Sequence, residues 1–267
     1  MAVTVLELLK RLPRTNCGEC GQQTCLAFAT QVIKEGEDLG QCPHLVAGDE
    51  FSGLIRAQQE AGVGRRRESV AISLEVLQAK VAPLDFGALA AGLGAKYGEE
   101  AGRPYLSLAY FGYCLQVFKD ELRYPPGALA DPWDAILLYN YIASGGSREP
   151  TGDWIAYNSL PNSVSKAKTL VRLEAKLASH FAGKAAALRE RALALGAELT
   201  AVGEDADLKA IFLPLPRVPV LLLFWDAEPG EGFGALARFL FDASVPAYLD
   251  LEAMLFLVEH LLARLIV

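Results

Sequence analysis

A chain of 267 residues, 52% hydrophobic and 21% charged, has ordinary globular composition and is long enough to bury a core of its own, which excludes a disordered or low-complexity polymer. The formal net charge is -7; residues 1–62 hold 5 Lys+Arg against 8 Asp+Glu, and the remainder holds 20 against 24. Both parts are acidic, so a phosphate-backbone ligand has no basic face to meet, and no nucleic-acid partner is expected.

In chain order, the N-terminal stretch from Met1 to Arg11 reads as a short amphipathic helix. It lacks the basic region and continuous apolar stretch of a secretory signal. Residues 1–45 contain four of the five cysteines, and 46–66 form a polar helical stretch resembling a connector. A boundary is placed at 62, giving a domain over 1–62 and a second over 63–267. The cationic run Arg65 to Arg67 reads as a solvated helix start. From 66 to 81, Val70, Leu74, Leu77 and Val81 share one helical face, and Pro83 ends the helix.

Residues 85–97 read as another short helix. The aromatic run 105–118, interrupted by Gly112, predicts one or two strands. Asp131-Pro132 predicts a helix start, with an acidic cap and proline in the first turn, running to about Ala143. Two more helices are expected over 165–179 and 183–195. Apolar runs at 209–213 and 218–225 predict strands, the second covered on both faces. The tail from 249 to 267 carries Asp250, Glu252, Glu259, His260 and Arg264, charges costly at mid-bilayer, and reads as a buried helix rather than a membrane span. Strands and helices mix without a regular alternation. The expected fold class is therefore α+β: a small, mostly helical domain followed by a larger α+β domain.

Cys17, Cys20, Cys25 and Cys42 are spaced C-x2-C-x4-C-x16-C, and Pro43 follows the last. Three thiolates from one loop can wrap one face of an iron-sulfur cubane while a distant cysteine supplies the fourth ligand, so a 4Fe-4S cluster is the expected cofactor and metal centre. Gly18 and Gly21 allow close backbone approach. Thr24 is a candidate N-cap that sets Cys25 at the positive end of a helix dipole. Asn16 and Gln22 are candidate donors behind the ligands, or ordinary turn residues, and His44 is placed to tune the cluster through a hydrogen bond. Structural zinc is the main alternative, although the second C-x2-C knuckle of a zinc ribbon is missing. Disulfides suit an exported protein better.

The stretch from Leu12 through Cys17-Gly18-Glu19-Cys20-Gly21-Gln22-Gln23-Thr24-Cys25 to Ala29, followed by Cys42-Pro43, resembles the 4Fe-4S domain of the large subunit of the corrinoid iron-sulfur protein. A related version occurs in one component of Rnf-type electron transport complexes. The resemblance covers about the first 60 residues and implies a 4Fe-4S cluster and electron transfer in an anaerobe; a corrinoid as second cofactor follows only from that likeness. In the remainder, Leu137-Leu138-Tyr139-Asn140-Tyr141, Thr151-Gly152-Asp153-Trp154-Ile155, Ser159-Leu160-Pro161, Phe224-Trp225-Asp226 and Leu240-Phe241-Asp242 resemble an uncharacterised domain family that follows such cluster domains. That family is expected to carry a glycine soon after the Leu-Pro step, where this chain has Asn162-Ser163.

Asp226, Glu228 and Glu231 could line a site at the end of the second apolar strand, although a solvated turn carrying Pro229 and Gly230 is the favoured reading. Trp154 and Trp225 could stack on a planar cofactor or serve the core. Cys114 reads as a small buried hydrophobe within a strand. His180 and His260 lie on predicted helices without a ligand pattern. Gly92-Leu93-Gly94 is only a fragment of a dinucleotide fingerprint, lacking the strand that should precede it.

The function expected is a cytoplasmic, cluster-binding redox protein exchanging single electrons with a partner protein or a small-molecule cofactor. One alternative is an iron-sulfur sensor or assembly factor; another is an enzyme that binds a corrinoid or other cofactor and uses the cluster to activate it.

Overall fold

A computed structural model describes residues 3–45, 48–60, 65–128, 131–146, 148–227 and 233–266. The chain divides into two compact units, Met1–Glu75 and Val76–Val267.

In the first unit, α1 (Val5–Leu9) starts at a capping box. Thr4 Oγ1 accepts from the Glu7 amide at 3.3 Å, and the Glu7 carboxylate accepts from the Thr4 amide at 2.8 Å, so each side chain satisfies an amide of the first turn that has no partner within the helix. The second helix, α2 (Cys25–Thr30), runs on through a π turn over Gln31–Glu35 and stops at Gly36, whose φ of 75° suits glycine. A 3-10 turn over Leu39–Gln41 and then α3 (Asp49–Glu60) follow.

Leu8, Leu12, Phe28, Ala29, Val32, Leu39 and Ile55 form the buried cluster at the centre of this unit. Val3 is clamped to Gln58 by two hydrogen bonds, its amide donating at 2.6 Å and its carbonyl accepting at 3.1 Å. The segment before α1 and the last turn of α3 are thereby tied together across 55 residues of sequence. Helix α4 (Arg65–Val81) spans the division between the units.

The second unit opens with α5 (Phe86–Leu89), whose cap Asp85 accepts from the amides of Gly87 and Ala88. The helix expected over 85–97 ends here, and residues 96–100 are a strand instead. A Cβ on Gly92 would stand 2.2 Å from the carbonyl oxygen of Gly146, and Gly94 takes φ +62°, so the chain turns where two glycines permit close packing. It then pairs as β1 (Lys96–Glu100) along β2 (Arg103–Tyr110) through a turn at Ala101 and Gly102, both at positive φ.

The aromatic run resolves into β2 and β3 (Tyr113–Phe118), joined at Phe111 and Gly112 with φ of 44° and 84°, a two-residue turn of the kind that matches strand twist. With β4 (Leu122–Arg123) they complete an antiparallel sheet in the order β1-β2-β3-β4.

Asp131 caps α6 (Pro132–Ala143) by accepting from the Trp133 amide at 2.9 Å. Next come β5 (Trp154–Ala156), α7 (Val164–Phe181), α8 (Ala185–Ala194), β6 (Glu198–Leu199), β7 (Leu208–Leu215), β8 (Val218–Trp225), β9 (Leu236–Asp242) and α9 (Leu251–Ile266). The second sheet has the order β5-β9-β8-β7-β6, antiparallel throughout. Its central strand β8 is buried from Val218 to Phe224, as its unbroken apolar run predicts. The sheets meet where the Phe111 amide donates to the Pro214 carbonyl at 3.0 Å, beside an irregularity in the β7–β8 register between Phe212 and Leu215. The molecule is α+β, with a small helical N-terminal region. The expected C-terminal helix is present as α9, with Met254, Leu257, Val258, Leu261 and Leu265 buried.

Candidate metal centre

The loop before α2 carries a run of left-handed backbone: Arg14 at φ 58°, Asn16 at 51°, Gly18 at 80° and Gly21 at 77°. Asparagine tolerates this conformation better than other residues bearing a Cβ. Asn16 also spends its side chain locally, Oδ1 accepting from the Cys25 amide at 2.9 Å. Its role is thus to latch the loop onto the first turn of α2, and the side-chain oxygen is an acceptor rather than the donor expected. The Gly21 amide donates to the Gly18 carbonyl at 2.9 Å, closing a tight turn between Cys17 and Cys25. A Cβ at either glycine would meet nothing within 4 Å, so backbone conformation, not crowding, calls for glycine there.

Thr24 caps α2 as expected, Oγ1 accepting from the Ala27 amide at 3.0 Å. Cys25 is therefore the first residue of the helix, at the positive end of its dipole, which favours an anion. Cys42 follows the 3-10 turn, its amide donating to the Leu39 carbonyl at 3.4 Å, and the Asp38 carboxylate accepts from Gly40 within that turn. Gln22 is half-buried.

The four cysteines differ in burial. Cys25 and Cys42 are 6% and 8% exposed and belong to the apolar cluster with Phe28 and Leu39; Cys20 is half-buried against that cluster, and Cys17 is exposed. All are free thiols. Four free sulfur donors, two on a glycine-bearing loop, one at the start of α2 and one after the 3-10 turn, with three of them against one apolar cluster, fit the donor set of an iron-sulfur cluster.

His44 lies beyond Cys42, with Nε2 2.8 Å from the Glu19 carboxylate. This contact joins the segment after the fourth cysteine to the loop between the first two. Glu19 was not legible as a site residue, since an acidic residue between two cysteines carries no pattern of its own. In space, one ligand atom each from Cys17, Glu19 and His44 lie within 4.8 Å of one another.

The other candidates fare differently. The Asp226 carboxylate accepts from the amides of Gly183 at 2.6 Å and Ala185 at 2.9 Å. It caps α8 from outside, and these amide contacts outweigh the effect of burial and hold its pKa below the usual carboxylate value. Glu228 and Glu231 lie outside the described residues. Trp154 and Trp225 are half-buried, and the Trp225 indole donates to the Asp205 carbonyl. Cys114 does lie on a strand, β3, but the expectation of burial fails. With Gln116 it occupies the face opposite the buried Leu115 and Val117, and its sulfur sits 3.0 Å from Ser107 Oγ. Asn162, where a glycine was expected, adopts φ 62°, the left-handed conformation a glycine would supply. His180 packs edge-on against Phe181.

One polar cluster within the second unit was not anticipated. Asp134, 1% exposed, accepts from Tyr110 Oη at 2.6 Å and Tyr124 Oη at 3.1 Å, and His260 Nδ1 stands 3.3 Å away. Burial and the Asp134 charge push the Tyr110 phenol well above its ordinary value.

Residues 85–264 match the family model described as "Domain of unknown function (DUF3786)". The chain belongs to this family. Residues 12–44 match a second model, described as "Putative Fe-S cluster", and that span contains all four N-terminal cysteines. The same region is similar to the acetyl-CoA decarbonylase/synthase complex subunit gamma of Methanothermobacter thermautotrophicus, 46% identical over 50 residues, covering 19% of this chain and 11% of that protein. The gamma 2 subunit of Methanosarcina thermophila is 51% identical over 47 residues, 18% of this chain and 10% of that protein. The corrinoid/iron-sulfur protein large subunit of Moorella thermoacetica is 49% identical over 45 residues, 17% and 10%. The chain thus spans about a tenth of the length of these relatives. No solved structure matches. Among the described residues, no helix is long and apolar enough to cross a membrane.

Proposed function

We propose that residues 1–62 form a domain holding one 4Fe-4S cluster through Cys17, Cys20, Cys25 and Cys42, and that the protein carries single electrons to or from a partner protein or cofactor in anaerobic metabolism. The observation that carries this reading is the donor set: four free thiols within the segment matching an iron-sulfur family, three of them lying against one apolar cluster. A bound cluster would supply a one-electron couple, with potentials that across proteins span roughly -700 to +450 mV.

The surrounding residues have definite tasks in that reading. Asn16 fixes the Cys25 backbone, Thr24 starts the helix whose dipole favours an anionic ligand set, and the apolar cluster keeps water from Cys25 and Cys42. Partial dehydration and nearby backbone dipoles are the levers by which a protein sets a cluster's potential. The cytoplasm is the compartment we assign. The match to the Moorella protein ends with the cysteine segment, so a corrinoid for the larger domain rests on that protein's name alone.

The test is anaerobic purification followed by iron and acid-labile sulfide analysis of wild type and Cys20→Ser, with a redox titration of the visible spectrum. Four irons and four sulfides per chain, lost or depleted in Cys20→Ser, with reversible one-electron reduction, support the reading. Stoichiometric zinc with no iron taken up on reconstitution overturns it. A cluster that decomposes on reduction removes electron transfer and leaves the sensor or assembly role.

A further inference from the structure

We propose that Glu19 is a reserve ligand for the iron that Cys17 holds, which makes that corner of the cluster the exchangeable one. The inference rests on the cluster reading above and goes beyond it by distinguishing four sites that the cysteine spacing treats alike.

The first ground is asymmetry. Cys25 and Cys42 are enclosed by the apolar cluster, Cys20 lies half-buried against it, and Cys17 is exposed. The second is the company Cys17 keeps. Its sulfur, a Glu19 carboxylate oxygen and a His44 ring nitrogen lie within 4.8 Å of one another, the one such trio among the described residues. The third is that the Glu19 carboxylate is held there: His44 Nε2 approaches it at 2.8 Å from the far segment of the domain. Gly18 and Gly21 flank Glu19 and Cys20 with no neighbour where a Cβ would stand, so the loop has room to adjust.

The chemistry suits the exchange. Iron accepts oxygen and nitrogen donors as well as thiolate. A carboxylate carries the same single negative charge as the thiolate it would replace. An iron–sulfur bond is exchanged for an iron–oxygen bond, no electron moves, and the net charge of the ligand set is unchanged. Among the described residues, no trio of ligand residues of this kind includes Cys25 or Cys42.

The experiment compares wild type, Cys17→Ala, Cys17→Ala/Glu19→Gln and Cys42→Ala, each reconstituted anaerobically, with iron and sulfide counted and electron paramagnetic resonance recorded. Cys17→Ala is expected to keep four irons. Cys17→Ala/Glu19→Gln is expected to fall to three irons and show the resonance of an oxidised three-iron cluster, and Cys42→Ala to lose the cluster. Three irons or fewer in Cys17→Ala, or four retained in the double variant, overturns the assignment of Glu19 while leaving the cluster in wild type intact. A wild type without iron overturns the cluster reading itself, and this inference with it. A second measurement keeps all four thiols: Glu19→Gln alone is expected to release its first iron to a chelator several-fold faster than wild type, and an unchanged rate counts against the proposal.

Discussion

Replacing Asp134 with asparagine tests the polar cluster beneath α6 and α9. Its carboxylate is 1% exposed and takes two phenolic hydrogen bonds, 2.6 Å from Tyr110 and 3.1 Å from Tyr124, with His260 Nδ1 at 3.3 Å. Hydrogen bonds to an ionised group each contribute about 1.5–3 kcal/mol, against about 0.5–1.5 for neutral pairs, and an unsatisfied buried amide donor costs a further 1–3 or so. Asp134→Asn is therefore expected to lose about 3–5 kcal/mol, in line with breaking a buried charged contact. At about 2–4 °C per kcal/mol for a unit of this size, the thermal midpoint should fall by about 6–20 °C.

Burial alone would raise the pKa of Asp134, but the contacts from His260, Tyr110 and Tyr124 prevail and hold it below its ordinary 3.8. A depressed carboxylate stabilises the fold fully above its unfolded value, and that contribution is lost as pH falls through the lower folded value. The gap between wild type and Asp134→Asn should thus be complete near neutrality and close below about pH 4. Denaturant titrations at several pH values, with the Tyr110→Phe/Asp134→Asn cycle, read both effects. An asparagine variant as stable as wild type at pH 7, or a gap that persists in acid, would refute this account of the cluster.

Three further outcomes follow from single contacts. Gly92→Ala places a Cβ 2.2 Å from the Gly146 carbonyl oxygen, an overlap with backbone that should cost about 1–3 kcal/mol or more, read as a lower denaturation midpoint or loss of soluble protein. Asp226→Ala removes the outside cap of α8, a carboxylate that accepts from the amides of Ala185 at the helix start and Gly183 just before it, with an expected loss of about 0.5–2 kcal/mol by denaturant titration. Asn16→Ala forces alanine into φ 51° and strips the Cys25 amide of its acceptor, about 2–3 kcal/mol combined. Its iron should be released to a chelator faster than that of wild type, while the far-UV dichroism of the larger domain stays unchanged.

Much of the fold was legible because its signals are local. The Thr24 and Asp131 caps, the glycine turn after Phe111 and the apolar run of β8 each mark an element through residues a few positions apart. The strands β1, β4, β5, β6 and β9 were missed. Three of them, β4, β5 and β6, are three residues or fewer, β1 stands where a helix was expected, and β9, from Leu236 to Asp242, pairs with β5 and β8 across long stretches of chain, a partnership no window can show. Cys114 was misplaced for a related reason: membership of a strand is a local property, but which face of the strand meets the core depends on the sheet's packing.

The sequence alone determined the chemistry on offer at the N-terminus, because cysteine spacing and glycine positions limit what four sulfurs within 26 residues can hold. Only the tertiary structure decided how those sulfurs differ, burying Cys25 and Cys42 while Cys17 faces solvent beside Glu19 and His44. It likewise gathered Tyr110, Tyr124, Asp134 and His260 from four separate parts of the chain. Burial and charge pairing depend on distance in space, which sequence separation does not record.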